Sequence, residues 1–421
     1  SLIADSRSIM QELSDSIEIA LQEKRPAVIL IPSNFWRAEV TQAEIEPQFI
    51  KELESDSTQE KVIQSYFSDL DLTKKDENLI VYGTEINSIT NSKDLAELLN
   101  MKEIPFMGTP ESKGFLNHSS PYFRGLIGVM ESNNALTKIK EAKNIIFIGV
   151  KKNLMESFGL SQVLNNKKML TINEYEHYWS SVKADNDCTS IDSFLSKGIS
   201  VLNQILPSTT STKTNASAQY TKAQYTEIDK SSFNLTSVNQ VIQNNLPHAC
   251  DLFIDAGNTG ATAVHYLQPL GRSLFYISLG MGAMGNSIGA AIGSSIADTK
   301  KERSYVILGD GSFLISGLEI HTAVEYNLPI TFIIINNNSH EMCKTRESLF
   351  LGKEDLSQSI NQFKESNLAL GLGQMFSDLS FREVSSFDEL EDSLQEGDDM
   401  RGPSLISVSY THLTLPTTPY V

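Results

Sequence analysis

Residues 304–338 read SYVILGDGSFLISGLEIHTAVEYNLPITFIIINNN. Two apolar runs, SYVILGD (304–310) and ITFIIIN (330–336), have the length and β-branched content of buried strands. Between them, residues 313–327 have a helical length and pattern, with Leu314, Leu318, His321 and Val324 on one stripe. Strand, helix and parallel strand form a right-handed crossover that sets the carboxyl ends of both strands side by side. That edge is where α/β sheets bind ligands. Asp310 and Asn337 sit at the two ends, so they face one crevice although 27 positions separate them.

One carboxylate and one carboxamide oxygen suit Mg2+, an ion that wants oxygen ligands and keeps places for water and phosphates. Gly309 and Gly311 let the backbone approach a ligand closely, and Ser312 offers a hydroxyl and an amide to a phosphate oxygen. The charge balance makes such a device necessary. Across 421 residues, 52 Asp and Glu stand against 34 Lys and Arg, a formal charge of −18. That excludes the clustered cations a nucleic-acid or anionic-membrane surface requires. An anionic ligand has to be held locally, by backbone amides or by a metal ion.

With 40% hydrophobic and 20% charged residues the composition is that of a soluble globular protein, long enough for two or three domains. Cys188, Cys250 and Cys343 lie far apart with no metal-ligand spacing, which fits a reduced, cytoplasmic setting. No apolar run of about 18 residues predicts a membrane span. The opening SLIADSRSIMQEL has neither an initiator Met nor a signal pattern and reads as the interior of a longer protein.

Outward from the crossover, the chain is α/β throughout. Residues 7–24 have helical spacing and lead into RPAVILIP (25–32), a buried strand stopped by Pro32; together residues 1–40 read as the end of a domain. Residues 55–200 hold a second α/β domain, with strands LIVYG (79–83), IPFMGT (104–109), NIIFIGV (144–150) and KMLTIN (168–173). Helices are expected at 92–100 and 131–142. Residues 201–228, which include PSTTSTKTNASAQ, read as a linker. Residues 229–407 form a third α/β domain, with further strands DLFIDAG (251–257), SLFYIS (273–278) and PSLISV (403–408). The tail 408–421 breaks with the composition before it and reads as non-native.

The stretch GDG, then 27 positions, then NN, inside a strand–helix–strand frame, resembles the cofactor motif of thiamine-diphosphate-dependent enzymes. The branch is that of acetolactate synthase, pyruvate oxidase and the 2-oxo acid decarboxylases. DAGNTGATAVHYL (255–267) resembles the family's first diphosphate loop, which implies Gly257, Asn258 and Thr259 as contacts. LGMGAMGNSIGAAIG (279–293) resembles the segment flanking the aminopyrimidine ring. It implies a Gly282 carbonyl for the ring's amino group and Met284 as the apolar wedge. Asp310, Gly311, Ser312 and Asn337 complete the implied cofactor contacts; Asp310, Asn337 and the Ser339 carbonyl are the implied metal ligands. Met342 and Cys343 match positions on the substrate side, and His340 is a candidate proton donor there. IPFMGTPESKGFLNHSSPYFRGLIG (104–128) resembles the family's middle domain, and RPAVILIP the closing strand of its pyrimidine-binding domain.

The resemblance implies thiamine diphosphate and Mg2+, a small 2-oxo acid substrate, and a homodimer or homotetramer. The implied reaction is decarboxylation with carboligation to a second carbonyl compound, or simple release of an aldehyde. The family's catalytic Glu comes from the pyrimidine-binding domain, expected upstream of residue 1, so no residue here takes that role. Flavin-bearing members carry an Arg-rich stretch that GVKKNLMESFGLSQVLNNKK (149–168) lacks, so FAD is not expected. Glu341 departs from the glycine frequent at its position.

Gly280-Met-Gly282-Ala-Met-Gly285 also satisfies G-x-G-x-x-G, the mark of a Rossmann dehydrogenase. That reading needs a ribose-binding acid about 20 residues on; the next strand ends instead at Asp310, 30 positions after Gly280. A catalytically inactive homologue is the non-enzymatic alternative. His321 and Glu319 read as structural, Cys343 as a small hydrophobe.

Overall fold

The computed structural model describes residues 9–22, 27–30, 65, 74, 77–88, 104–173, 186–189, 191 and 227–409. Positions 117, 119, 133, 152, 166, 248–249, 269–273, 280, 298–302, 353–354, 358 and 400 are excepted. The helix expected at 92–100 and the linker through 226 lie outside the described residues, as does the tail beyond 409. The chain divides into two compact units, residues 1–57 and 58–421.

In the first unit, helix α1 (Ile9–Gln22) forms as its spacing predicts. Leu13, Ile17 and Ile19 on it are exposed. Of RPAVILIP, residues 27–30 are described; Leu30 makes a single β-bridge, and Val28 and Leu30 are 67% and 59% exposed rather than buried.

The second unit holds two parallel six-stranded sheets. In the first, β1 (Asn78–Tyr82), β2 (Phe106–Gly108), β3 (Phe123–Leu126), β4 (Asn144–Ile148), β5 (Lys168–Asn173) and β6 (Asn186–Thr189) run in the order β3-β2-β1-β4-β5-β6. Strand direction out from the centre reverses between β1 and β4. At this switch point the buried carboxylate of Glu156 accepts from the backbone N–H of Thr84 (3.3 Å) and of Lys151 (3.1 Å). Burial pushes its carboxyl up, against those two hydrogen bonds.

The second sheet is β7 (Asp251–Ile254), β8 (Phe275–Ile277), β9 (Ser304–Gly309), β10 (Ile330–Asn336), β11 (Ser380–Val384) and β12 (Ser404–Ser409). Its order is β11-β12-β10-β9-β7-β8. All seven residues of β10 are buried, as its unbroken apolar run requires for a strand covered on both faces. The switch point lies between β7 and β9. The helices that concern the site are α2 (Asn258–Tyr266) after β7, α3 (Asn286–Ala297) after β8, and α4 (Asp310–Ser316) with α5 (Ile320–Glu325) after β9. Helix α6 (Glu341–Leu351) follows β10.

The crossover helix differs from its expected form. It begins at Asp310 and is interrupted by a tight 3₁₀ turn at Gly317–Glu319. The helical spacing carries through the turn: Phe313, Gly317, Ile320 and Ala323 face the core, and the stripe of Leu314, Leu318 and His321 faces away from it, with Leu314 and Leu318 56% and 65% exposed. Gly317 makes room for the Phe313 ring, which a Cβ there would meet at 2.4 Å.

One side chain ties the two sheets together. Lys113, on the 3₁₀ turn Pro110–Phe115, is buried; its Nζ donates to the carbonyls of Val264 and Leu267 at the carboxyl end of α2. It lies 5.1 Å from the centre of the Phe275 ring. An ammonium suits the negative end of a helix, and burial draws Lys113 down to about 7. Lys113→Met keeps the stem but orphans two buried carbonyls. Chemical denaturation should record a loss of about 1–3 kcal/mol, whereas an exposed lysine replaced in the same way would change stability by less than about 0.5 kcal/mol.

Candidate functional site

The sheet's switch point places the ends of β7 and β9 next to each other, with the end of β10 beyond β9. Asp255 ends the first of these. It is fully buried and, among the described residues, has no salt-bridge cation; its lone pairs are taken instead by hydrogen bonds. Oδ1 accepts from Ala256 N and Gly285 N, both at 2.9 Å; Oδ2 accepts from Ser287 N at 3.0 Å and Ser287 Oγ at 2.7 Å. A residue on β7 thereby caps the amino end of α3 and fixes the loop before it. That loop carries Gly282 (φ +62°), Met284 and Gly285 (φ +80°), with the Gly285 carbonyl held by Ser316 Oγ at 2.8 Å. Left-handed glycines on either side of Met284 present it at the crevice, where it is 37% exposed.

While α3 is capped, the amino end of α2 is open. Its N-cap, Gly257, has φ +96° with free space where a Cβ would stand, and no side chain caps it. Asn258 Nδ2 is buried with no hydrogen-bond partner, and Thr259 is buried beside Gly309. Open N–H groups at a helix start and a buried unsatisfied amide form an anion cradle.

At the next two strand ends the GDG and Asn motifs meet. Asp310 is buried at the first position of α4; Oδ1 accepts from Gly311 N at 2.8 Å and Oδ2 from Ser339 N at 3.0 Å. The same Ser339 N–H lies 3.2 Å from Asn337 Oδ1, so the carboxylate and carboxamide oxygens converge on one point. The three asparagines do different work. Asn336 Oδ1 accepts from Asn338 N at 3.1 Å; Asn338 takes the left-handed φ of +54° that turns the chain; Asn337 points its amide at Asp310's side. Burial raises Asp310 to about 6, against the lowering effect of the Gly311, Ser339, Asn338 and Asn337 amides.

His340 stacks against Gly311, where a Cβ would approach its Nδ1 to 2.4 Å, and Phe363 braces the imidazole edge-on at 4.6 Å. Met342 is half-buried and Cys343 exposed on α6. His321 is not brought to the crevice: it contacts Glu325 (3.4 Å) and the Phe376 ring (5.8 Å) on an exposed face. Asp255 and its partners about 30 residues on escaped the sequence reading, although an acid ending a buried strand just before a glycine is a visible anomaly.

Residues 255–408 match the thiamine pyrophosphate enzyme C-terminal TPP-binding domain, and residues 71–185 match the central domain of the same enzymes. The chain belongs to the thiamine-diphosphate-dependent enzyme family. A 3D-(3,5/4)-trihydroxycyclohexane-1,2-dione hydrolase of Listeria monocytogenes is 26% identical over 156 residues, 36% of this chain and 24% of that one. An acetolactate synthase of Bacillus subtilis is 29% identical over 161 residues, 37% of this chain and 26% of its own length. The chain thus spans about a quarter of these relatives. The thiamine diphosphate-dependent 4-hydroxybenzoylformate decarboxylase of Rhodococcus jostii superposes with a TM-score of 0.74 at 14% identity. That match covers 99% of this chain and 76% of that structure, and it attests the fold. Among the described residues no helix is long and apolar enough to cross a membrane.

The chain's residues fit the family's cofactor. The α2 cradle with its unsatisfied Asn258 amide suits a diphosphate, and the two converging oxygens suit a hard cation. The elevated Asp310 carboxyl gives a test. Its contribution to stability, present below the ordinary 3.8, is lost as pH rises through about 6. A bound cation removes that penalty but needs the ionised form. Mg2+ with thiamine diphosphate should therefore raise the melting temperature near pH 7.5, and the increment should shrink as pH falls below about 6, with affinity dropping roughly tenfold per unit. A pH-independent increment would remove Asp310 from the cation site.

Proposed function

We propose that this chain forms the diphosphate- and cation-holding part of a thiamine-diphosphate- and Mg2+-dependent enzyme that decarboxylates a small 2-oxo acid and joins the product to a second carbonyl compound. The observation that carries this reading is the convergence of Asp310 Oδ2 and Asn337 Oδ1 on the Ser339 N–H. The open amino end of α2 lies at the neighbouring strand end.

In this reading Asp310, Asn337 and the Ser339 carbonyl hold Mg2+. Gly257, Asn258, Thr259, Gly311 and Ser312 bind the diphosphate, and Gly282 and Met284 flank the ring. The bound cofactor supplies a nucleophilic carbon and an electron sink for loss of CO2. The protein's share is geometric and electrostatic. Asp255 fixes the loop that carries Met284, so the ring's seat is set before binding. The acidic corner draws in a cation that offsets the diphosphate charge, which a chain of charge −18 cannot do with side chains alone. Leu314, Ile315 and Leu318, each more than half exposed, support pairing with a second copy as a homodimer or homotetramer.

The second reading, a decarboxylase that releases an aldehyde, is favoured by His340. An imidazole braced over Gly311 can deliver a proton where the first reading needs a second carbonyl compound.

Calorimetric titration of thiamine diphosphate, with and without Mg2+, tests the shared core. Binding should require the cation, and Asp310→Ala should weaken it by about 100-fold or more. Tight binding of NADH in place of thiamine diphosphate would instead establish the dinucleotide alternative. With pyruvate as substrate, acetolactate as product supports carboligation and acetaldehyde supports the second reading.

A further inference from the structure

An asparagine that ligates a cation has an orientation problem. Its carboxamide has an oxygen on one side and an NH2 on the other, and the terminal torsion is broad and roughly two-fold. Only neighbours decide which atom faces the ion. For Asn337 one neighbour is the Ser339 N–H, at 3.2 Å from Oδ1, but that donor is shared with Asp310 at 3.0 Å. The other is Glu341. Its Oε2 lies 3.4 Å from Asn337 Nδ2, and a carboxylate, which only accepts, tolerates the NH2 and rejects the oxygen.

Glu341 is itself held more firmly than a surface side chain needs. Ser339 Oγ donates to the same Oε2 at 2.7 Å, and Lys344 Nζ lies 3.7 Å away. Its side chain is 20% exposed. It is also the first residue of α6, where the helix dipole favours negative charge. The backbone of Ser339, between Asn337 and Glu341, is pinned by a bridge to Gln362.

We infer that Glu341 is a positioning residue that locks the Asn337 amide with its oxygen toward the cation. The inference rests on the Mg2+ reading of this corner, and it assigns Glu341 no direct bond to the ion. Once a cation engages Asn337 Oδ1, the shared Ser339 N–H loses its hold on that oxygen, and Glu341 becomes the group that keeps the amide from turning.

A double-mutant cycle separates this role from its rivals. The probe is Mn2+ in the presence of saturating thiamine diphosphate, with free Mn2+ read by electron paramagnetic resonance and no turnover required. Glu341→Gln can offer either atom to Asn337, so it should weaken Mn2+ binding about tenfold while the melting temperature stays within about two degrees. In the Asn337→Asp background both side-chain atoms are oxygens and there is nothing to orient; Glu341→Gln should then have no effect or should strengthen binding. Equal weakening in both backgrounds would make Glu341 a general electrostatic contributor, and no weakening in either would make it a helix-start residue only; both results overturn the inference. Mn2+ binding that Asp310→Ala leaves intact would overturn the cation site itself, a failure distinct from these two.

Discussion

The carboxylate of Asp255 is the constraint from which the rest of the site follows. Four hydrogen bonds converge on it from the next residue of its own strand end and from the start of a helix about 30 residues on. A carboxyl group survives burial only when its oxygens are hydrogen-bonded, so the two segments cannot separate without stranding buried polar atoms. That obligation holds the Met284 loop against β7. It also caps the amino end of α3 through the Ser287 N–H, whereas no side chain caps the amino end of α2.

At the corner proposed to hold the cation, burial outweighs the Gly311, Ser339, Asn338 and Asn337 amides and raises the Asp310 carboxyl. A site that holds its ligand's charge in deficit is poised to bind, at the cost of stability when empty. The three asparagines divide among them a turn, a left-handed kink and a half-buried amide bonded to Glu341. This division explains why a polar triplet follows a wholly buried strand.

Much of this was legible in the residues. Nine of the strands announced themselves as apolar runs, and the crossover spacing brought Asp310 and Asn337 together without any structure. What escaped has a common physical cause. Strand β3 (FRGL) and strand β11 (SFREV) are edge strands that are only partly buried, so their patterns carry no clear alternation, and strand β6 (NDCT) has no apolar run to mark it. Leu314, Leu318 and His321 do share one helical face, but spacing alone does not say which face meets the core, and the larger apolar residues of this stripe lie on the exposed one. RPAVILIP has a strand's composition, but Val28 and Leu30 are exposed, which composition alone does not foretell. Lys113, Asp255 and Glu341 were silent because their roles are defined by partners far along the chain or by hydrogen-bond direction, which composition does not encode.

Each of the two parallel sheets has a switch point, central in the first and off-centre in the second, yet the backbone donors beside it are treated differently. In the second sheet the amino end of α2 has no side-chain cap. In the first, Glu156, five residues beyond Lys151 and 72 beyond Thr84, fills both N–H groups from within the chain, at an effective concentration that a free anion in solution would find hard to match. The chain therefore contains one α/β sheet that answers to the solution around it and another that answers to itself.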